Sequence, residues 1–213
     1  MSTSQRFRGR VAVVTGTTSR IGRGIAETLQ CEGARVFGLD VAPGRIGEYV
    51  HCDVRTVDSV RAAAANVLAA TDGRIDHVVA NAGIRGSDTP AEDLDPVEFD
   101  DVLAVILRGV FLSIQAFAKP MLTAGSGSIV AIASMSGTRV VNVPQRTVHY
   151  NTAKAGVTAL VRLLAAEWGG RGVRVNTLSP GFVATPFLDG DVSLHEQWLA
   201  GTDLLIDGGY SLR

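Results

Sequence analysis

The chain has 213 residues, of which 46% are hydrophobic and 19% charged, and its formal net charge is −1. This length suits a single domain, residues 1–213, which can bury a core without disulfides or structural metals. The balanced charge excludes the basic excess of a nucleic-acid-binding protein, and no uninterrupted apolar segment approaches the roughly 18 residues of a membrane span. Cys31 and Cys52 are too few for a disulfide framework or a zinc site, and the polar first residues lack a secretory signal. We therefore expect a cytoplasmic protein without a metal site.

Short apolar segments alternate with longer amphipathic segments along the chain. The apolar segments predict strands at residues 11–15, 35–40, 50–54, 75–80, 128–133, 173–178 and 203–206. The amphipathic segments predict helices at residues 21–30, 57–70, 96–124 and 150–168. This alternation favours a mostly parallel sheet covered by helices on both faces, which is a doubly wound, Rossmann-type α/β fold of three layers. Ligands of such folds bind beyond the carboxyl ends of the strands.

A glycine-rich turn, Thr-Gly-Thr-Thr-Ser-Arg-Ile-Gly, follows the first predicted strand. Its candidate phosphate-binding residues are Gly16, Ser19, Arg20, Ile21 and Gly22. A tight turn that opens a helix presents free backbone N–H groups and the positive end of the helix dipole to a phosphate. The alternative is an ordinary strand-to-helix turn that needs glycine for its shape, because a glycine-rich turn is a weak motif by itself.

Asp40 ends the second predicted strand, 24 residues after Gly16. Dinucleotide-binding folds place an acidic residue on the adenosine ribose about 20 residues after this glycine. A carboxylate there repels a 2′-phosphate, so the sequence favours NAD over NADP. The alternative for Asp40 is a capping or solvated side chain. Arg20 argues the other way, since a cation near the adenosine end attracts a phosphate.

Tyr150 and Lys154 are one helical turn apart and point the same way from their predicted helix. A nearby ammonium lowers the pKa of a phenol, which makes tyrosine usable as a general acid or base. Ser134, just beyond the fifth predicted strand, can hydrogen-bond a substrate oxygen. The alternatives are an ordinary surface helix and a strand-end cap. No Gly-x-Ser-x-Gly elbow supports a hydrolase triad.

Together these residues resemble the short-chain dehydrogenase/reductase family, over residues 8–185 and again over 201–210. The turn at Gly16, the Asn81-Ala82-Gly83 motif and the set of Ser134 with Tyr-x-x-x-Lys carry the resemblance most clearly. The family also has counterparts of the segments 174–176 and 207–209. The resemblance implies a seven-stranded sheet of order 3-2-1-4-5-6-7 and a nicotinamide cofactor, for which Asp40 favours NAD.

The resemblance further implies how the site works. Tyr150 exchanges a proton with the oxygen of a secondary alcohol or ketone, Lys154 binds the nicotinamide ribose and lowers the tyrosine pKa, and Ser134 polarises the oxygen. Additional implied cofactor contacts are Asp53, Val54, Asn81, Ala82, Gly83, Pro180, Gly181, Val183 and Thr185.

Two single residues depart from the family pattern. Arg20 stands where the family has the middle glycine of its phosphate turn, so a side chain must fit there or contact phosphate directly. Ile106 matches the position of a catalytic asparagine that anchors a water leading to the lysine. Because isoleucine cannot hydrogen-bond, we expect slower turnover, unless another group or bulk water substitutes.

Two segments also depart in length. The loop 138–148 is longer than usual, and its Arg139 and Arg146 either attract an anionic substrate or are solvated. The region 186–200 is shorter than the family's substrate-covering segment, so either the lid is reduced or residues are missing from the chain. Further pocket candidates are Ile84, Arg85, Ser136, Val143, Pro144, Phe182 and Phe187.

The expected partners are a small alcohol or ketone and further copies of the chain, as a dimer or tetramer paired through helices within 105–121 and 150–168. Two alternatives stay open. One is a dinucleotide-binding regulatory or degenerate member with little turnover. The other is a reductase or dehydratase that acts on a carrier-bound or sugar substrate, since the fold alone does not determine the chemistry.

Overall fold

Parallel strands form a central sheet in the computed structural model, which describes residues 5–138, 145–181 and 183. In this part of the chain the sheet has six strands in the order β3-β2-β1-β4-β5-β6, and all neighbouring pairs are parallel. The strands are β1 Val11–Thr15, β2 Arg35–Asp40, β3 Glu48–His51, β4 His77–Ala80, β5 Gly127–Ile132 and β6 Val173–Leu178. The predicted fold class is therefore confirmed. The predicted seventh strand, the segment 186–200 and Thr185 lie outside the described residues.

Six helices connect the strands. They are α1 Arg20–Cys31, α2 Val57–Ala70, α3 Pro96–Leu103, α4 Gly109–Ala124, α5 Met135–Thr138 and α6 Val148–Trp168. A π-helical turn, Ala104–Arg108, joins α3 to α4, and a 3₁₀ turn, Gly169–Arg171, leads from α6 to β6. These helices and turns belong to the described part of the chain and cover both faces of the sheet.

Alternating residues of the strands build two apolar layers. Val13, Val78 and Ile129 point to the face covered by α2, α4 and α6, whereas Ala12 and Val14 point to the face covered by α1. All five residues of β1 are buried, which explains its uninterrupted apolar sequence. The core thus lies on both sides of the central strands and fixes their carboxyl ends at one edge.

The third strand lies earlier than the sequence predicts, at Glu48–His51 rather than 50–54. Its register is set by pairing with β2, which places His51 opposite Asp40. Cys52 still donates its backbone N–H to the carbonyl of Asp40, but Asp53 follows the strand rather than belonging to it. The sequence pattern at 50–54 is apolar because Cys52 and Val54 enter the core.

One continuous helix of 29 residues, Pro96–Ala124, crosses the face of the sheet. Asp95 caps its start by accepting the N–H of Val97, and Gly125, with φ of 63°, ends it. By length and composition this helix passes the criterion for a membrane span, contrary to the expectation from the sequence. However, 56% of its apolar window is buried against the rest of the protein, as in the core helix of a globular fold.

Candidate active site

The turn after β1 is closed by hydrogen bonds to the end of β4. The side chain of Asn81 donates to the carbonyls of Thr15 and Gly16, at 3.0 and 3.1 Å. In return, the Thr15 hydroxyl accepts the backbone N–H groups of Asn81 and Ala82. Gly16 has φ of +73°, and a Cβ there would lie 2.8 Å from the Cα of Ala82. The glycine and the asparagine therefore fix the turn against the neighbouring strand.

Helix α1 begins in this turn. Ser19 is its N-cap, and its hydroxyl accepts the N–H of Gly22 at 3.2 Å. A Cβ on Gly22 would collide with the carbonyl of Gly16, so this glycine is required for the close packing of the turn. In a helix the N–H groups of the first residues, here Arg20 and Ile21, have no acceptor within the helix. Both residues line a cavity, into which the amino terminus of α1 points.

The carboxylate of Asp40 is buried at the end of β2 and faces the same turn. Its Oδ2 accepts the backbone N–H and the hydroxyl of Thr18, both at 2.9 Å. Its Oδ1 accepts only a longer bond of 3.3 Å from the N–H of Ala42 among the described residues. A carboxylate has about four acceptor sites, so Oδ1 retains capacity for a ribose hydroxyl.

The three predicted catalytic residues come together at the carboxyl end of β5. Ser134 follows this strand, and α6 carries both Tyr150 and Lys154. A hydrogen bond joins the Ser134 hydroxyl to the Tyr150 phenol. The ammonium of Lys154 lies 5.7 Å from the centre of the Tyr150 ring and donates to the carbonyl of Ile132 at 2.6 Å. Tyrosine and lysine thus share one side of the helix, as their spacing predicts.

Burial shifts the pKa values of both titratable groups away from the charged forms. It raises the pKa of the Tyr150 phenol, and the hydrogen bond from Ser134 opposes this only in part. It lowers the pKa of the Lys154 ammonium from 10.5 to about 8. The spacing of the two residues predicts a lowered tyrosine pKa, but in this structure the desolvation of the phenolate has the larger effect.

A cavity of about 390 Å³ connects the phosphate turn to the catalytic residues. Its lining residues are Thr18, Ser19, Arg20, Ile21, Asn81, Gly83, Arg85, Ile132, Ala133, Ser134, Met135, Ser136, Gln145, Thr147, Tyr150, Lys154, Pro180, Gly181 and Val183. Most of them are among the site and pocket residues predicted from the sequence. Six lining residues are not among the candidates from the sequence: Thr18, Ile132, Ala133, Met135, Gln145 and Thr147. Gln145 and Thr147 lie in the loop 138–148 and immediately precede α6, and that position is the signal that could have revealed them.

Six predicted cofactor residues do not line this cavity. Gly16, Gly22 and Ala82 shape the turn, and Asp40 contacts the turn through Thr18. Val54 packs in the core against Gly109. A Cβ placed on Gly109 would lie 2.8 Å from Cγ2 of Val54.

The sixth residue, Asp53, forms an ion pair with Arg55 at 2.8 Å, which lowers the pKa of its carboxyl. Its backbone N–H donates to the hydroxyl of Ser59. The structure thus gives both polar ends of Asp53 a partner within the protein. Of the additional pocket candidates, Arg85 and Ser136 line the cavity, Ile84 does not, and Val143, Pro144, Phe182 and Phe187 lie outside the described residues.

Ile106 lies in the π-helical turn and is fully buried. A Cβ placed on Gly83 would lie 3.8 Å from Cγ1 of Ile106 and 3.9 Å from Nζ of Lys154. The Ile106 side chain and the Lys154 ammonium therefore both lie beside Gly83. An apolar group at this place gives the ammonium no hydrogen bond, which agrees with its lowered pKa.

Comparisons with known proteins agree with this geometry. The model of the family described as enoyl-(acyl carrier protein) reductase matches residues 16–202. The D-threitol dehydrogenase of Mycolicibacterium smegmatis is 37% identical over 98% of this chain and 95% of its own length. The chain belongs to the short-chain dehydrogenase/reductase family. It is an oxidoreductase of the class that interconverts secondary alcohols and ketones.

Other members of the short-chain dehydrogenase/reductase family have similar sequences and folds. The cis-4-hydroxycyclohexanecarboxylate dehydrogenase of Sinomonas cyclohexanicum is 38% identical over 87% of this chain and 78% of its own. A short-chain type dehydrogenase/reductase from Mycobacterium marinum superposes with a TM-score of 0.82 at 32% identity, covering 91% of this chain and 81% of that chain. The levodione reductase structure gives a TM-score of 0.80 at 35% identity, covering 85% and 75%.

The residues present fit the nicotinamide dinucleotide that the family implies. The amino terminus of α1 offers N–H groups and its dipole for a pyrophosphate at one end of the cavity. Asp40 offers an acceptor for a ribose hydroxyl, and Lys154 lies at the opposite end, beside Tyr150. Arg20, at the place of a family glycine, lines the cavity and is exposed, so its side chain is accommodated without closing the site.

Proposed function

We propose that this enzyme transfers a hydride between NAD(H) and a small secondary alcohol or ketone, with Tyr150 as general acid/base. The observation that supports this best is the cavity, which has Ser134, Tyr150 and Lys154 at one end and the amino terminus of α1 at the other. A bound nicotinamide dinucleotide supplies the hydride, while the protein supplies orientation and charge.

Each catalytic side chain has a distinct task in this proposal. The Ser134 hydroxyl holds and polarises the substrate oxygen, and Tyr150 moves the proton at its phenolic oxygen. Lys154 holds the nicotinamide ribose and places a positive charge near the phenol. Because burial raises the pKa of Tyr150, the phenol stays protonated at neutral pH and is ready to act as the acid in ketone reduction. Alcohol oxidation needs the phenolate, so we expect its rate to rise toward alkaline pH.

The preference for NAD over NADP rests on Asp40. Its carboxylate lies at the carboxyl end of β2, where it repels a 2′-phosphate. Arg20 would attract a 2′-phosphate, but its side chain is exposed, whereas the Asp40 carboxylate is buried at the strand end. Initial rates measured with each cofactor at equal concentration test it, and faster turnover with NADP would refute the preference. The remaining contacts carried over from the family, including Asp53, Val54 and Thr185, are part of the same proposal.

The experiment for the proposed function combines turnover with binding. The purified protein is incubated with NAD and a panel of cyclic alcohols and polyols, and NADH formation is followed by absorbance. In Tyr150→Phe we expect turnover to fall by about 10²- to 10⁴-fold, while NADH binding, followed by fluorescence, persists. Unchanged turnover in this variant, or no binding of either nucleotide at millimolar concentration, would refute the proposal.

Two other functions are supported by specific observations. A dinucleotide-binding member with little turnover is favoured by buried Ile106 near Lys154, and binding without turnover on any substrate would support it. A reductase of carrier-bound substrates is favoured by the description of the matching family model. Activity with an acyl thioester but with no free alcohol or ketone would support that second function.

We further propose one domain, residues 1–213, with a shortened lid near 186–200, in a cytoplasmic homo-oligomer. The alignment with D-threitol dehydrogenase spans 252 positions, more than the 213 residues of this chain, so the relative has residues that this chain lacks. Phe111 of α4 and Leu163 of α6 are exposed large apolar side chains on the two helices predicted to pair. Sedimentation that shows a monomer at micromolar concentration would refute the oligomer.

A further inference from the structure

The first turn of α6 carries the catalytic phenol, because the helix begins at Val148 and Tyr150 is its third residue. The hydroxyl of the N-cap, Thr147, bonds the side chain of Asn151 and does not cap the helix. The backbone N–H of Asn151 donates to the Thr147 carbonyl at 3.0 Å, which closes the turn only after the tyrosine. A first turn without a capping bond is held weakly by its own helix, so the phenol needs a contact from outside α6.

His149 provides this contact. Its imidazole is fully buried and packs against Gly86 in the segment 81–89, which follows β4. A Cβ placed on Gly86 would collide with Nε2 of His149 and would lie 3.0 Å from Cγ2 of Val102 in α3. The space that glycine leaves at position 86 is therefore the space that the imidazole fills, between the segment 81–89 and α3.

The segment 81–89 is itself bonded to the residues that lead into α6. The backbone N–H of Thr89 donates to the carbonyl of Arg146 at 3.1 Å. Asp88 accepts both the backbone N–H of Arg146, at 2.8 Å, and its Nε, at 3.2 Å, and Arg146 does not line the cavity. His149 thus packs on a segment that is tied to the same end of the helix.

The polar group that faces the imidazole is the carboxylate of Glu98 on α3. Its Oε1 lies 3.5 Å from Nε2 of His149, just beyond hydrogen-bond range. The same carboxylate accepts the backbone N–H of Ser87, and its Oε2 accepts the Ser87 hydroxyl at 2.9 Å. The bonds from Ser87 are the main cause of the lowered pKa of the Glu98 carboxyl, and His149 adds a smaller contribution. Glu98 is therefore held in place as a negative charge beside the imidazole.

Packing alone does not account for an imidazole at this place. Neither of its nitrogens has a hydrogen bond within the described part of the chain, and buried polar atoms are normally bonded. A leucine of similar volume would fill the space without this penalty. What the imidazole adds is an N–H group, which on Nε2 lies beside the carboxylate and is attracted to it across a site from which water is excluded.

We propose that His149 is a positioning residue, whose imidazole is attracted to Glu98 and fixes the first turn of α6, so that the Tyr150 phenol stays bonded to Ser134. The inference rests on the proposed function, in which Tyr150 moves the proton. His149 does not line the cavity, so it acts on the reaction through its neighbour in the helix.

The variant His149→Leu tests this role through turnover. We expect its kcat for alcohol oxidation to fall about 10- to 100-fold, because a displacement of about 1 Å in a reacting group has an effect of this size. The KM for NAD should change by less than about threefold, since the phosphate turn lies at the other end of the cavity. The midpoint of thermal unfolding should equal that of the wild type or rise, because the variant buries no unpaired polar atom. A merely structural role would lower stability together with kcat.

Two further variants test the pairing with Glu98. His149→Gln returns an N–H to the ε position and is expected to recover most of the lost kcat. Glu98→Gln removes the charge at a partly exposed position but leaves an acceptor oxygen for Ser87, so the fold should persist. We expect Glu98→Gln to lower kcat by about three- to tenfold and to have no further effect in the presence of His149→Leu, because both changes remove one interaction.

The matched control is His77→Leu, which replaces the same side chain at the amino end of β4, where its ring contacts Phe7. It should leave kcat unchanged. The inference is overturned by an unchanged kcat in His149→Leu, by an equal loss in His149→Gln, by an equal loss in His77→Leu, or by additive effects of His149→Leu and Glu98→Gln.

Hydrogen exchange separates this inference from the proposed function, because it needs no turnover. In the cofactor-free protein we expect the backbone amides of residues 151–153, followed by mass spectrometry, to exchange about tenfold faster in His149→Leu, and at the wild-type rate in His77→Leu. Unchanged exchange in His149→Leu refutes the inference, whether or not an alcohol is oxidised. If Tyr150→Phe loses turnover while His149→Leu keeps the wild-type kcat, the inference fails and the proposed function stands.

Discussion

The ammonium of Lys154 is almost entirely shielded from water, and its burial lowers the free energy of unfolding by an amount that can be measured. Burial lowers its pKa from 10.5 to about 8. At one pKa unit per 1.36 kcal/mol, the charged lysine destabilises the folded chain by about 3 kcal/mol at neutral pH. Below pH 8 the lysine is protonated in both the folded and the unfolded chain, so the full penalty is present. Between pH 8 and 10.5 the folded chain holds fewer protons than the unfolded chain, so stability rises with pH.

The variant Lys154→Met removes this titration. Its effect at any one pH also includes the lost bond to the Ile132 carbonyl, which is a constant offset. The informative quantity is therefore the change with pH of the difference in unfolding free energy between wild type and variant. From the two pKa values we expect the wild type to gain about 2 kcal/mol relative to the variant between about pH 7 and pH 9.5.

Urea unfolding of the cofactor-free protein, followed by circular dichroism at several pH values, measures this difference. The other lysine of the chain provides the matched control. Lys119 is exposed on α4, so we expect Lys119→Met to run parallel to the wild type at every pH. A constant difference between wild type and Lys154→Met across this range would show that the buried ammonium is not destabilised, and the reasoning would be wrong.

Three further perturbations test other parts of the structure. Ile106→Asn should raise kcat, because it returns a polar group to the vicinity of the catalytic lysine, and should lower stability by about 1–3 kcal/mol through burial of an amide; an unchanged kcat would refute this. Gly86→Ala should destabilise the fold by more than about 2 kcal/mol, because of its φ of +73° and the collision with His149, and thermal unfolding measures it. The control, Gly24→Ala in α1, meets no atom within 4 Å and should be neutral or stabilising, so equal losses would contradict the reasoning. Asp40→Asn should raise the ratio of kcat/KM with NADP to that with NAD by about tenfold, and an unchanged ratio would remove the carboxylate as its cause.

The parts of the fold that are predicted well are those that a short segment of sequence determines by itself. The uninterrupted apolar run of β1, the capping Ser19 and the required Gly16 are properties of short segments. The strand order was predicted from the family resemblance, and the register of β3 was not, because it depends on pairing with β2. The predicted contact of Asp53 could have been weighed against Arg55, which is only two residues away and holds its carboxylate.

The chemistry of the site depends on packing that no short segment reveals. The helical spacing of Tyr150 and Lys154 brings them to one side of α6, but the sign of each pKa shift follows from burial by distant segments. The π-helical turn that carries Ile106 packs against α6. A Cβ placed on Gly156 of α6 would lie 2.9 Å from Cδ2 of Leu107 in this turn. Such a turn is an adjustment of one helix to another, so its position is not encoded in periodicity.

The bonds between Asp40 and Thr18 link two properties that protein engineers usually treat as separable. The same carboxylate oxygen that anchors Thr18 belongs to the group proposed to select between the two nicotinamide coenzymes. A substitution of Asp40 that removes this oxygen therefore also frees the backbone of Thr18 in the phosphate turn, whereas asparagine keeps one acceptor oxygen for it. Redesign toward the phosphorylated coenzyme with a residue that lacks this oxygen has to supply Thr18 with another partner, and a library that varies positions 18 and 40 together should contain active variants that such single substitutions miss.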